Sequence, residues 1–120
     1  MRENTVQDGL STEQLLDISK ALGDPKRIEM LRILAQIRDA SCCASASNDA
    51  PEGGICVCEV VKQTGLIQSL VSYHMKILKE AGLVREQVCG KWNYYSLDRD
   101  TVHGYLKTLS KLLLSTRNVG

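Results

Sequence analysis

The chain has 120 residues, enough for one domain, and its core must be aliphatic because it has no Phe and only one Trp and four Tyr. Its charges nearly cancel to a net +1, so global charge demands no nucleic-acid partner and any basic surface must be local. No run of about twenty apolar residues occurs, which excludes a membrane-spanning helix, and five cysteines are an odd set that argues against a closed disulfide framework.

Residues 1–10 are polar, lack the apolar stretch of a signal peptide and read as a flexible arm. A cytoplasmic location, with the cysteines as thiols, is therefore expected. Ser11-Thr12-Glu13-Gln14 has the form of a capping box, and Leu15, Leu16, Ile18, Ala21 and Leu22 follow at helical spacing. Gly23 ends that helix, and Asp24-Pro25 starts the next, with Asp24 as cap and Pro25 at the first helical position. Ile28, Met30, Leu31, Ile33, Leu34 and Ile37 make this second helix apolar nearly all round, so it is expected to be buried. Residues 38–54 are rich in small and turn-forming residues and read as a loop that carries Cys42 and Cys43. A loop of that length inside a small domain is often functional.

Ile55-Cys56-Val57-Cys58 leads into a short helix that ends at Gly65. A second helix runs from Gln68 to Glu80 with Leu70, Val71, Met75, Ile77 and Leu78 on its apolar face, and Gly82 stops it. Short helix, tight turn and second helix form a helix-turn-helix. The period then changes. Leu83–Val88 and Trp92–Leu97 alternate and are rich in β-branched and aromatic residues, with Cys89-Gly90-Lys91 as a hairpin turn between them. A hairpin in that place is a wing. Residues 101–115 form a last helix, with Val102, Tyr105, Leu106, Leu109, Leu112 and Leu113 at helical spacing. The expected fold is mainly helical α+β: a single winged helix-turn-helix over residues 11–115 with a two-stranded wing, then a tail at 116–120.

The segment from Gln68 to Val84, QSLVSYHMKILKEAGLV, resembles the recognition helix of the ArsR-type metalloregulatory repressors. Ala21-Leu22-Gly23-Asp24-Pro25-Lys26-Arg27 is similar to that family's link between its first two helices, and Ile55-Cys56-Val57-Cys58-Glu59-Val60 to its metal-binding box. The resemblance spans roughly residues 11–113. It implies a homodimer that holds double-stranded operator DNA and leaves it when an ion binds, with the arsenic-responsive branch as the nearest pattern.

A recognition helix must offer short polar side chains to base edges and donors to phosphates. Gln68, Ser69, Ser72, Tyr73 and Lys76 supply both, and Lys91 is placed at the wing. From Lys62 to Lys91 there are five basic side chains and two acidic ones, a local excess of three on the expected element. The resemblance also shows a departure: Ile67 stands where the family has a capping Ser or Thr, so the helix is expected to begin at Gln68 or Ser69. His74 is expected to pack against the domain rather than touch bases.

Cys56 and Cys58, two residues apart, would diverge by about 200° on a regular helix. They can share an ion only where the segment is extended or the helix start is open. Two thiolates hold a soft ion poorly, and three or four hold it well. The resemblance places a third cysteine of arsenic-responsive relatives three residues beyond the pair, where this chain has Val61, and the extra cysteines of cadmium- and lead-binding relatives in an N-terminal arm that here has none. Cys42 and Cys43, on a tether of small residues thirteen to fourteen positions before Cys56, are left as the completing ligands. Three thiolates suit As(III) or Sb(III), and four suit Cd(II) or Pb(II). Cys89 is assigned to packing. Asp100 and His103 do not reproduce the second site of the zinc-sensing relatives. Three other readings compete: a thiol-redox sensor, an iron–sulfur regulator on the same fold, and a DNA-binding module with incidental cysteines. An enzyme is not expected, because neither His74 nor His103 stands in a catalytic arrangement.

Overall fold

The computed structural model describes residues 9–36 and 54–114. Residues 1–8, 37–53 and 115–120 lie outside them, so the expectations for most of the 1–10 arm, for Cys42 and Cys43 and for the 116–120 tail fall outside the described residues. Within them the chain runs α1 (Thr12–Ala21), α2 (Pro25–Gln36), β1 (Ile55–Cys56), α3 (Val57–Thr64), α4 (Gln68–Glu80), β2 (Val84–Cys89), β3 (Trp92–Leu97) and α5 (Arg99–Leu114).

Local chemistry explains most of these boundaries. Ser11 Oγ accepts from the Gln14 amide at 3.2 Å and Gln14 Oε1 accepts from the Ser11 amide at 3.1 Å, so the capping box closes in both directions. Asp24 Oδ1 accepts from the Lys26 amide at 2.8 Å at the start of α2, and that bond holds the Asp24 carboxyl below its ordinary value. Gly65, at φ 76°, supplies the left-handed residue that ends α3. Ile67 takes the extended cap conformation before α4 without a side-chain bond, and α4 begins at Gln68. Helix α5 starts two residues earlier than expected, because Asp98 Oδ1 accepts from the Thr101 amide at 3.1 Å and caps it.

One expectation needs correction. Helix α2 is amphipathic rather than buried all round: Met30, Ile33 and Leu34 are buried, whereas Ile28 is 43% exposed. The two-stranded wing forms as expected, and a third strand joins it. Strands β2 and β3 pair in antiparallel register through a two-residue turn, with Cys89 opposite Trp92 and Glu86 opposite Tyr95. Strand β1 adds to the other edge of β3, with Ile55 opposite Tyr95 and Cys56 opposite Tyr94. A two-stranded hairpin is marginal by itself, and the third strand ties the wing to the domain.

Ile18, Met30, Ile55, Val60, Val71, Met75 and Leu78 are almost wholly buried in the main core, with Leu83, Val84 and Tyr95 beside them. Contributions come from α1 to α4 and from one face of the sheet, so α4 is fixed from behind by a packed apolar layer. The opposite sheet face carries a second, smaller cluster of Cys56 and Tyr94, with Cys58, Cys89 and Trp92 packed against it.

Candidate DNA-binding face and thiol site

Helix α4 divides cleanly between two faces. Val71, His74, Met75 and Leu78 are buried. Gln68, Ser69, Ser72, Tyr73 and Lys76 are all exposed, Tyr73 by 57%, and Lys91 is exposed at the hairpin turn. Gly90, at φ 65°, provides the left-handed residue that makes this turn tight. The six residues expected to meet DNA therefore lie at the surface of the recognition helix and the wing tip.

His74 sits on the other face, as expected. It is 3% exposed, and its Nδ1 lies 3.1 Å from Arg27 Nη1. Arg27 Nε donates to the Ala21 carbonyl at 2.7 Å, so the α1–α2 link is stitched to the back of the recognition helix. Burial, with the Arg27 cation beside it, pushes the His74 pKa down, against the opposing pull of Asp24. The ring is held neutral and accepts from the guanidinium.

Sequence reasoning missed the contact between α4 and the wing. Glu86 on β2 takes three hydrogen bonds: from Lys79 Nζ at 2.8 Å, from Asn93 Nδ2 at 3.1 Å and from the Tyr95 hydroxyl at 3.1 Å. The Lys79 bond draws the Glu86 carboxyl below its ordinary value and raises Lys79. Burial, reinforced by the adjacent carboxylate, pushes Tyr95 up to about 12. A signal was available: counting back from a two-residue turn at Gly90-Lys91 puts Glu86 opposite Tyr95.

The Cys56–Cys58 pair straddles a boundary between strand and helix. Cys56 belongs to β1 and is the extended cap residue of α3, at φ −63° and ψ 145°. Cys58 is the second residue of the helix. That break removes the divergence a continuous helix would impose, and the two sulfurs lie 2.6 Å apart. Cys56 Sγ also accepts from the Cys58 amide at 3.3 Å, so the pair stands at the helix end that favours negative charge. Cys56 is 2% exposed and Cys58 is half-buried. Helix α3 in turn packs directly on α4.

Among the described residues, no group of three or more His, Cys, Asp or Glu side chains is arranged to hold a metal ion. Cys42 and Cys43 lie outside those residues. Cys89 packs on the sheet face that carries Cys56, beside Trp92, and His103 is exposed on α5. Among the described residues no helix is long and apolar enough to cross a membrane.

Comparison with known proteins agrees with this architecture. Residues 52–86 match the family model for bacterial regulatory proteins of the arsR family. The chain is 36% identical over 87 residues to an arsenical resistance operon repressor of Bacillus subtilis, which covers 72% of this chain and 69% of that protein. It is 32% identical over 100 residues to an HTH-type transcriptional regulator of Methanocaldococcus jannaschii, covering 83% of this chain and 96% of the other. A cadmium resistance transcriptional regulatory protein CadC homolog of Staphylococcus aureus is 27% identical over 119 residues, covering 97% of this chain and 84% of its own. In fold, the chain resembles the crystal structure of an ArsR family transcriptional regulator (TM-score 0.62, 22% identity, 90% of this chain and 98% of the other). It also resembles the solution structure of a homodimeric winged helix-turn-helix domain from Mycobacterium bovis (TM-score 0.59, 24% identity, 88% and 87%). The chain belongs to the ArsR family of DNA-binding transcriptional regulators, a non-enzymatic family.

Proposed function

We propose that this protein is a cytoplasmic repressor that binds operator DNA as a homodimer and releases it when a soft thiophilic ion, As(III) or Sb(III), binds Cys56 and Cys58 together with Cys42, Cys43 or both. The observation that carries the reading is the pair of sulfurs 2.6 Å apart at the start of α3, the helix packed on α4. Thiolate sulfur is the donor that soft ions prefer, so this donor set fits such an ion. Ligation there constrains the junction between β1 and α3, which supports both the recognition helix and the wing. Gln68, Ser69, Ser72 and Tyr73 are assigned to base edges and neighbouring phosphates, and Lys76 and Lys91 to phosphates.

The homodimer reading is supported by α1 and α5. Leu16, Leu106, Leu112 and Leu113 are each more than half exposed, an apolar surface that a small domain covers by pairing. Two recognition helices would then read half-sites about 34 Å apart. The homodimeric relative from Mycobacterium bovis is consistent with this. The arsenical relative favours As(III), and the cadmium-resistance relative supports a second reading in which four thiolates bind Cd(II) or Pb(II).

The test is operator release measured against arsenite, antimonite, cadmium and lead. The Cys56→Ser and Cys58→Ser variants are expected to bind DNA normally and to lose the response, for which a typical allosteric coupling predicts about a 5- to 150-fold change in affinity. With a three-sulfur site, Cys42→Ser and Cys43→Ser are each partly tolerated or differ from one another. With a four-sulfur site, each fails alike. A Cys42/Cys43 double variant that still releases normally removes the loop from the site.

A further inference from the structure

The recognition helix carries a second lysine on the face of Lys76, and the structure shows it already engaged. Ser72, Lys76 and Lys79 line one wall of a cleft of about 290 Å³ between α4 and the wing, and Glu86, Asn93 and Tyr95 line the other. At its inner end Glu86 Oε1 holds Lys79 Nζ at 2.8 Å while Glu86 Oε2 takes Asn93 and Tyr95, both from β3. The carboxylate thus joins the helix to both strands of the hairpin. Its side chain is 20% exposed and that of Lys79 is 47% exposed, so the pair is shielded on the protein side and open toward the cleft. A carboxylate that takes three donors, two of them on one oxygen, is held in place, whereas an exposed lysine alone is not.

We propose that Glu86 is a positioning residue for DNA recognition: it fixes the angle between the recognition helix and the wing, and it withholds the Lys79 ammonium from phosphate, lowering affinity for DNA of any sequence so that the contacts of Gln68 and Ser72 decide the site. The reasoning is electrostatic. A lysine that neutralises a phosphate adds affinity without regard to sequence. A lysine held at 2.8 Å by its own carboxylate contributes no net charge at the interface, and the hydrogen bonds from Asn93 and Tyr95 prevent the carboxylate from swinging away. The inference rests on α4 and the wing facing DNA and is independent of any ion at the cysteines.

The experiment is the salt dependence of binding of the full-length chain to a mixed-sequence DNA duplex and to a duplex selected from a random pool by the wild-type protein. Lys79→Gln is expected to leave the slope of log affinity against log salt unchanged on both duplexes. Glu86→Gln is expected to steepen it by about 0.9 per protomer, the value for one added phosphate contact, and to narrow the affinity ratio between the two duplexes. The Lys79→Gln/Glu86→Gln double variant should return the slope to the wild-type value. A purely structural role for Glu86 predicts weaker binding with no steeper slope, and that result overturns the proposal. Lys79 is exposed and its replacement does not threaten folding, so the Lys79→Gln arm decides even if Glu86→Gln is unstable: a slope reduced by about 0.9 shows that Lys79 already meets phosphate and overturns the assignment. Lys76→Gln reads the DNA-facing placement separately. A slope lowered by both lysine variants refutes only the role of Glu86, whereas a slope that Lys76→Gln does not move refutes the placement of α4.

Discussion

The two halves of the helix-turn-helix are built on opposite plans. Helix α4 presents exposed polar side chains on one face and drives Val71, Met75 and Leu78 into the core on the other, so the residues proposed to read DNA are separate from those that pack the fold. At the start of α3 the proposed ligand is itself structural: Cys56 is a buried residue of the smaller cluster, a strand residue, a helix cap and a member of the thiol pair. A surface that must recognise a rigid partner gains from being separate from the fold. A site that must alter the fold when it is occupied has to be part of it.

The largest effect expected from this division is on stability within α4. Met75→Ala should cost about 2–5 kcal/mol in urea unfolding, because a fully buried side chain leaves a cavity. Tyr73→Ala, two residues away and 57% exposed, should stay within about 0.5 kcal/mol while weakening DNA binding. Equal losses in the two variants would break the distinction between a reading face and a packing face.

The next effect is a pH dependence located at the back of the same helix. Burial and the Arg27 cation depress the folded pKa of His74 below its ordinary value, against Asp24, with Lys26 adding a smaller push downward. The unfolded chain therefore binds the proton more readily. The contribution of the neutral ring is complete above about pH 6.5 and is lost as pH falls from there toward the lower folded value. Melting temperature should drop between about pH 7 and about pH 5 in the wild type and less in His74→Gln. Parallel curves for the two proteins would show that the ring is not held neutral.

The smallest effect is a gain. Ile67 already has extended cap geometry, is 68% exposed and makes no cap bond. Ile67→Ser should stabilise the protein by about 1 kcal/mol by accepting from an amide in the first turn of α4. No gain would mean that the end of α4 is satisfied in another way.

Sequence patterns were most legible where structure is decided by neighbours in the chain. The Ser11–Gln14 box, the Asp24-Pro25 start, the uncapped entry at Ile67 and the hairpin around Gly90 are all local, and each is found where the residues place it. Strand β1 was not legible, because two residues carry no period and Ile55–Cys56 becomes a strand only by pairing with Tyr94 and Tyr95, nearly forty positions onward. The exposure of Ile28 was missed for a related reason: an apolar count does not say which side of α2 meets the core. The need for an open helix start at the cysteines did follow from their spacing, but the Glu86 cluster required a register and a helix–sheet contact together.

The shortest element in the fold also has a consequence for how it opens. Strand β1 is held to β3 over two residues, whereas β2 is held over six, so the first part of the sheet to exchange its amide protons with water should be the edge at Cys56. Local opening free energies are lowest where few bonds must break at once, and Cys56, the ligand proposed above, is placed in that unit. Because Ile55 of the same strand lies in the main core, opening this junction also loosens the layer behind α4, and a ligand that captures the open or the closed form tilts that equilibrium.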